Sequence, residues 1–379
     1  MKYLKLVFLL VIISHFELRL DSAGAQSDTV EYSNPTITQL VAEGLVTPIN
    51  HEAVVNSVAT TIDWVYADVS QIIVCLTMHD LDYSTTGPNQ IPAKEIIRVV
   101  GPDGAEFQQT TASAAISNTP ADRANLTVVT HFYPQAELLP PLAPGESRAN
   151  YFVNLGADLP TTLDLQLKLD IEINSSPATW QRPYPGDPAE LTLPVTVTLH
   201  HGITLTPATT ISQNDQAITL KRLTIAPSQT LAEVCYTSPD AENWQPATRL
   251  YLDENYVLPL AHSNRVTQVP LATGALGCVE IPFAVVHRNS SPTAEFIVEF
   301  LFPAPSDPRA YWEQVSAGLI QDGIDLTLYP VSGLDYAVNS AADGLSDEDI
   351  YQRIQQQRLI VTPTVTGPWV FTLTLPSAS

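Results

Sequence analysis

Three cysteines, Cys75, Cys235 and Cys278, are the most chemically distinctive residues of this chain. They form no C-x-x-C pair, and their scattered positions do not fit a zinc site made of thiolates. Cys235 and Cys278 both fall on predicted strands in the second half of the chain, where a disulfide could join them in an oxidising compartment. Cys75 then has no partner, and we interpret it as a small buried apolar residue rather than a nucleophile.

No recognised catalytic or metal-binding motif accompanies these cysteines. The patterns G-x-S-x-G, H-E-x-x-H, G-x-x-x-x-G-K and G-x-G-x-x-G are absent. His200 and His201 are neighbours on a predicted strand and point to opposite faces, which favours a hinge or a solvated pair over a shared metal. We therefore predict no catalytic, cofactor or metal residues. A secreted hydrolase stays open as an alternative, because 40 acidic residues could form a carboxylate pair that sequence does not rank.

Trp244 is the one residue that suggests a surface ligand. It lies in the polar stretch "DAENWQP", and an exposed indole there could stack on a sugar ring. Packing into a core is the default interpretation for a tryptophan, so Trp244 is a speculative surface-binding residue.

The composition limits the classes of partner. The formal net charge of −23 repels nucleic acid and anionic membranes, so neither is expected to bind. Apolar residues make up 45% of the chain and charged residues 15%, which is typical of a folded protein with sizeable cores. No cofactor is predicted, and the expected partner is an unknown envelope protein or a glycan.

The N-terminus has the pattern of a secretory signal. Lys2 and Lys5 precede an apolar run over residues 6–13, and Ala23-Gly24-Ala25 fits a cleavage site. We predict a signal peptide over residues 1–25, followed by a linker over 26–47. An uncleaved signal anchor is the alternative, although the apolar run is shorter than a membrane span requires.

One phrase occurs twice in the sequence. "TTIDWVYADVSQIIVCLTMHD" aligns with "ITLKRLTIAPSQTLAEVCYTSPD" when Ser70-Gln71 is placed on Ser228-Gln229. A gap of two residues after this point brings Cys235 onto Cys75, and Thr127 then falls approximately at the position of Cys278. The repeat predicts two homologous domains, over residues 48–198 and 199–379.

Equivalent positions in the two copies should be buried alike. The aligned pairs are Ile62 with Leu220 and Val65 with Leu223. Because these positions differ in parity within each strand, the alignment requires an irregularity such as a β-bulge between them.

The fold class follows from the alternation of apolar and polar residues and from the many prolines. "TTLDLQLKLDIEI" alternates apolar and polar residues, similar runs recur along the chain, and 31 prolines disfavour long helices. We predict an all-β-dominated protein of two tandem immunoglobulin-like β-sandwiches. Surface helices near 307–321 and 346–360 should decorate the second, the latter with Ser346 as its N-cap.

The phrases "VTPINHEAVVNSVATTIDWVYADVSQIIVCLTM", "HHGITLTPATTISQNDQAITLKRLTIAPSQTLAEVCYT" and "GPWVFTLTLP" resemble the tandem immunoglobulin-like extracytoplasmic domains of uncharacterised bacterial envelope and anti-sigma-factor-like proteins. The resemblance covers residues 35–379. Its motifs specify strands, turns and packing rather than a site. It implies a secreted or envelope location and a non-enzymatic binding or sensing role, with a structural or adhesion spacer as the alternative.

The signal sequence can be tested directly. N-terminal sequencing of the exported protein should give a start near Gln26, because Ala23-Gly24-Ala25 is the predicted cleavage site. Recovery of the full-length chain from the cytoplasm would contradict this prediction.

Overall fold

The computed structural model describes most of the chain from Pro35 onward. The described residues are 35–82, 93–118, 123–136, 146–147, 159–173, 190–239, 244–252, 255–257, 265–268, 274–284, 292–303, 305, 307–328, 336–342, 344–362 and 364–376. The predicted signal peptide lies outside them. Strands predominate among the described elements, which confirms the all-β-dominated class.

The strands of residues 47–200, here called the first repeat, form one sheet. They are β1 (Thr47–Val55), β2 (Val58–Asp68), β3 (Ile72–Asp82), β4 (Ala93–Val100), β5 (Glu106–Asn118), β6 (Arg123–Ala136), β7 (Thr162–Ile173) and β8 (Leu191–His200). Their order is β1-β2-β3-β6-β5-β4-β7-β8, and β8 also pairs in parallel with β2. This pairing closes the sheet around an enclosed interior. The domain boundary predicted at residue 198 falls inside β8.

Residues 203–374, here called the second repeat, divide their strands between separate sheets. The strands are β9 (Ile203–Leu205), β10 (Thr209–Gln213), β11 (Gln216–Ile225), β12 (Thr230–Thr237), β13 (Trp244–Leu252), β14 (Asn255–Val257), β15 (Arg265–Gln268), β16 (Leu276–Phe283), β17 (Thr293–Pro303), β18 (Asp325–Leu328), β19 (Tyr336–Ser340) and β20 (Val365–Thr374). One sheet has the order β10-β11-β12-β16-β15, with β9 on β11, and another has the order β14-β13-β17-β20. Strands β18 and β19 pair with each other.

The strand order of the first repeat recurs in the second. The path β1-β2-β3-β6-β5 corresponds to β10-β11-β12-β16-β15, and β4-β7-β8 corresponds to β13-β17-β20. In the first repeat a short pairing of β4 with β5 merges the two paths into one sheet.

Strands β2 and β11 carry an irregularity at the same place. The register of β2 against β3 shifts between Ile62 and Trp64, and that of β11 against β12 shifts between Leu220 and Arg222. An inserted residue reverses the parity of the buried face. The burial predicted for the equivalent positions is confirmed for Ile62, Val65, Leu220 and Leu223.

The alignment of Cys235 with Cys75 is wrong. Ser70 and Ser228 are 158 residues apart, and the strand pairs that follow the two turns keep this offset. No gap of two residues is needed, so Thr77 is the structural equivalent of Cys235. Pairing Cys75 with Cys235 displaces the register by two residues, which is one full alternation of the strand.

The disulfide joins neighbouring strands of one sheet. Cys235 on β12 lies directly opposite Cys278 on β16, and their sulfur atoms are bonded. It therefore does not cross from one sheet of a sandwich to the other. In the first repeat the equivalent pair is Thr77 and Thr127, whose hydroxyl oxygens lie 3.0 Å apart.

Each repeat has its own apolar interior. The largest fully buried side chains in the first are Phe107, Phe132, Ile72 and Leu76, and in the second they are Trp369, Phe283 and Phe296. Alternate strand residues supply both interiors, as the pattern of the sequence predicts.

The predicted linker 26–47 contains a helix. Helix α1 spans Pro35–Ala42, and its residues Ile37 and Leu40 are buried. They pack on the face of the sheet that points away from the interior, in a cluster with Trp64, Tyr66, Ile73, Cys75 and Val129. Burial of this apolar face stabilises the helix. With only eight residues, the segment is too short for its apolar periodicity to predict a helix from sequence.

A helical segment lies between β17 and β20 and is called the insert. It comprises α2 (Pro308–Leu319), a 3₁₀ turn (Ile320–Asp322), the β18-β19 hairpin and α3 (Asp347–Val361). Both helices thus fall where the sequence predicts them, and Ser346 forms a capping box with Asp349 at the start of α3. The helices are more than surface decoration, because they share an apolar cluster built from Tyr311, Trp312, Val315, Leu319, Ile324, Leu326 and Ile354.

Cysteines at Thr77 and Thr127 should give the first repeat the bridge that the second repeat has. The two positions are directly opposite on neighbouring strands. Closing a loop of this length contributes about 4 kcal/mol in the chain-entropy model, so the melting temperature should exceed that of the wild type. Labelling of the unfolded, unreduced T77C/T127C protein should modify one thiol, that of Cys75. The T77C control should show two, and three in the double variant would contradict the structural equivalence.

Candidate functional site

The repeated Ser-Gln phrases form two turns that contact each other. In the first turn the amide of Asp68 donates to Gln71 O at 3.0 Å. In the second the amide of Ala226 donates to Gln229 O at 2.9 Å. The hydroxyl oxygens of Ser70 and Ser228 lie 3.2 Å apart where the turns meet. The phrase was duplicated in sequence, and its two copies form the junction between the repeats.

Asp68 is the centre of this junction and is fully buried. Its Oδ1 accepts from the Ser70 amide at 2.7 Å, the Ser70 hydroxyl at 2.6 Å and the Gln71 amide at 2.9 Å. Its Oδ2 accepts from the Tyr66 hydroxyl at 2.6 Å, and from the amide and hydroxyl of Ser228 at 3.1 and 2.5 Å. Both oxygens of this carboxylate accept hydrogen bonds from donors that the two repeats hold in place. Asp68 therefore has a structural role in connecting the repeats rather than the role of a catalytic base.

Only one of the two turns carries the carboxylate. The equivalent of Asp68 in the second turn is Ala226, which packs against the apolar interior of the first repeat. A second carboxylate at this position would place like charges together in a buried site, which is strongly unfavourable. The asymmetry therefore lets one anion serve both turns.

Aromatic side chains enclose the junction. Tyr66 stacks on His200 with ring centroids 5.4 Å apart, and burial together with the charge of Asp68 raises the pKa of Tyr66. His131 Nδ1 lies 3.0 Å from Gln71 Oε1, and burial lowers the pKa of His131 to about 4. His131 is therefore neutral at neutral pH.

The two linking histidines are held by the first repeat. His200 Nε2 lies 2.6 Å from the carbonyl oxygen of Leu45, and His201 Nε2 lies 2.8 Å from that of Pro160. The sequence predicts a hinge or a solvated pair; His201 is exposed, and both histidines contact backbone carbonyl oxygens at the connection between the repeats.

The outward face of the second repeat is charged where that of the first is apolar. Arg222 Nη2 lies 2.8 Å from Glu233 Oε2 and 3.6 Å from Glu280 Oε2, with all three side chains largely buried. The equivalent first-repeat residues are Trp64, Cys75 and Val129, which pack under α1. The same sheet surface is thus stabilised by packing in one repeat and by an ion-pair network in the other.

An arginine that packs against aromatic rings attaches the insert to the sheet of the second repeat. The Arg358 guanidinium of α3 lies 5.3 Å from the ring centroid of Phe300 and 4.4 Å from that of Phe302, both on β17. It also lies 5.6 Å from the Trp312 ring and donates to the Tyr311 hydroxyl at 3.0 Å. Cation–π contacts of this kind contribute about 0.5–2 kcal/mol each.

A second polar contact supports the same attachment. The Tyr351 hydroxyl of α3 donates to Glu299 Oε2 at 2.7 Å, and Arg249 Nε lies 3.1 Å from Glu299 Oε1. The insert is therefore joined to the sheet by two side chains of α3, Tyr351 and Arg358.

Trp244 does not form a surface site. It is 7% exposed and belongs to the apolar interior of the second repeat, and its carbonyl oxygen accepts from the Tyr236 hydroxyl. Trp244 is the first residue of β13, so strand pairing turns it inward. The surface-binding role suggested for Trp244 is withdrawn, and core packing, the default interpretation, describes it.

The described residues contain no group of three or more His, Cys, Asp or Glu side chains placed to hold a metal ion. Over the same residues, no helix is both long and apolar enough to cross a membrane. Cys75 is buried, and its thiol lies 3.7 Å from Asp63 Oδ2, to which it donates.

Comparison with known proteins adds little to these observations. No family model and no curated protein matches the chain. Among solved structures, it is similar to the conserved domain protein from Bacillus anthracis, with 9% sequence identity and a TM-score of 0.44. The match covers 87% of this chain and 92% of that one. A similarity at this level indicates neither a family nor a function for this chain.

Replacing Asp68 by asparagine should weaken the junction. The amide keeps the shape, but its NH₂ group would face hydroxyl and amide donors, leaving several of them without an acceptor. We expect a loss of about 3 kcal/mol in the free energy of unfolding, measured by denaturant titration. Asp164→Asn is the control, since Asp164 is exposed and should change stability by less than about 0.5 kcal/mol. Equal unfolding midpoints for D68N and wild type would refute the role of Asp68.

Proposed function

We propose that this protein is a non-enzymatic extracytoplasmic binding or sensing module of the bacterial cell envelope. In this proposal the two repeats are tandem immunoglobulin-like sandwiches, and the insert of the second repeat is the recognition element. The location rests on the N-terminal signal pattern of residues 1–25. The partner is an envelope protein or a glycan.

The observation that carries the proposal is the insert itself. Strands β17 and β20 are neighbours in the sheet, with Leu301 opposite Val365, so a short turn would suffice to connect them. The chain instead adds two capped helices and a hairpin with their own apolar cluster. Because the strand order of the repeat is complete without it, the insert is not explained by the sheet and is a site where function is added to a fold.

Exposed apolar residues on the insert support a binding role. Ile360 at the end of α3 is 75% exposed, and Ile320 after α2 is 62% exposed. Leu359, next to Ile360, is also exposed. Such side chains on a rigid helix are suitable anchors for a partner.

A structural or adhesion spacer is the second candidate. It is favoured by the Asp68 junction, which fixes the two repeats through buried hydrogen bonds rather than leaving a flexible linker. A spacer needs such rigidity but does not need the insert.

Substitution of Ile360 by aspartate should separate these two functions. Wild-type protein immobilised as bait should retain a specific envelope protein or glycan, and I360D should lose most of that binding because a charge replaces an apolar anchor. The control is V54D, which changes a comparably exposed valine of the first repeat, 68% accessible to solvent. Equal capture by all three proteins, or none by the wild type, would favour the spacer.

A further inference from the structure

A carboxyl group is enclosed in the interior of the first repeat. Glu95 is 4% exposed and lies on the face of β4 that also carries Ala93, Ile97 and Val99, all core residues. Its partner on the neighbouring strand is Ile171, another core residue. The sequence "AKEIIRVV" already places Glu95 on this face by its alternation.

The described part of the chain offers this carboxyl little compensation. Oε2 of Glu95 makes no hydrogen bond of normal length and angle there, and neither does the hydroxyl of Thr130, which points into the same interior from β6 and favours the ionised carboxyl only weakly. An unpaired polar atom in an apolar interior is costly, and an ionised one is far more so.

The strands around Glu95 present apolar groups to it. These inward-facing residues are Phe107 on β5, Leu126, Val128 and Phe132 on β6, and Leu169 and Ile171 on β7. The charged residues of β4 and its partner β7 other than Glu95 alternate onto the opposite face, and they are Lys94, Arg98, Asp164, Lys168, Asp170 and Glu172. His131 also lies on the opposite face, beside Gln71.

We propose that Glu95 makes the first repeat pH-responsive: the closed sheet is stable while this carboxyl is protonated and loosens when it ionises. The geometry is that of a poorly compensated carboxyl on an inward strand position. This property belongs to the fold of the first repeat and does not depend on the binding function of the insert.

The direction of the effect follows from burial. Burial raises the pKa of Glu95 from 4.5 to about 7, whereas a backbone hydrogen bond, the charge of Lys94 and the hydroxyl of Thr130 lower it by less. Between these two pH values the folded state holds a proton on Glu95 that the unfolded state has lost. The stabilisation that Glu95 contributes is therefore complete below pH 4.5 and is lost as the pH rises to about 7. His131 acts in the opposite sense, because its pKa is lowered and its contribution is lost as the pH falls from 6.5 towards 4.

The test compares the pH dependence of unfolding in three proteins between pH 5 and pH 8.5. The ratio of the unfolding equilibrium constant of the wild type to that of E95Q should rise by about 75-fold between pH 5 and pH 8.5, because Glu95 ionises only in the wild type and the opposing effect of His131 is common to both proteins. E95Q keeps the shape without the ionisation, whereas E52Q, which alters an exposed carboxyl of β1, should follow the wild type.

A direct titration covers the case in which E95Q does not fold. Carbon-13 NMR of the Glu95 carboxyl in the wild type should give a midpoint near neutrality. A midpoint near that of an exposed glutamate, or the same pH dependence in E95Q and wild type, would overturn the proposal.

Discussion

The arrangement of the molecule depends on one buried anion shared between two turns. Asp68 belongs to the first repeat, yet its Oδ2 accepts hydrogen bonds from both the amide and the hydroxyl of Ser228 in the second repeat. A buried carboxylate is tolerated only with enough donors, and here neither repeat alone provides them all. The cost of leaving donors or anion unpaired couples the folding of one repeat to the presence of the other. The repeats therefore have separate interiors and are connected through the polar junction at Asp68.

Duplication preserved the strand order but not the means of stabilising equivalent positions. Where the second repeat has the Cys235–Cys278 bridge, the first has two threonine hydroxyls, and where the second has Arg222 between two glutamates, the first has an apolar face under α1. Each of these arrangements stabilises its own part of the sheet independently, because cross-strand pairs contribute individually to the stability of a sheet. The sheet surface can thus diverge while the interior keeps its alternation.

The features predicted from sequence were those encoded by short-range patterns. Alternation located the buried residues Ile62 and Leu220, and capping chemistry located α3 at Ser346. The equivalence of Cys75 and Cys235 failed because chemical similarity was given more weight than register, which strand pairing alone determines. Trp244 and Arg358 could not be placed from sequence, since an aromatic in a polar stretch, or an arginine on a helix, has no defined neighbours until the elements pack. Glu95 was visible in the alternation of β4, but its missing partners depend on strands distant in the sequence.

The parallel pairing of β8 with β2 has a mechanical consequence. The chain leaves the first repeat at His200, and the residues just before it are hydrogen-bonded alongside the end of β2 at Ala67 and Asp68. Tension applied through the second repeat would pull β8 along its own axis, so these hydrogen bonds would be loaded together in shear instead of opening one after another. The same point is anchored by the contact of His200 with Leu45 and by the Asp68 turn. A pull on the C-terminal half would therefore be resisted where the chain leaves the first repeat, by the strand pairing that closes its sheet.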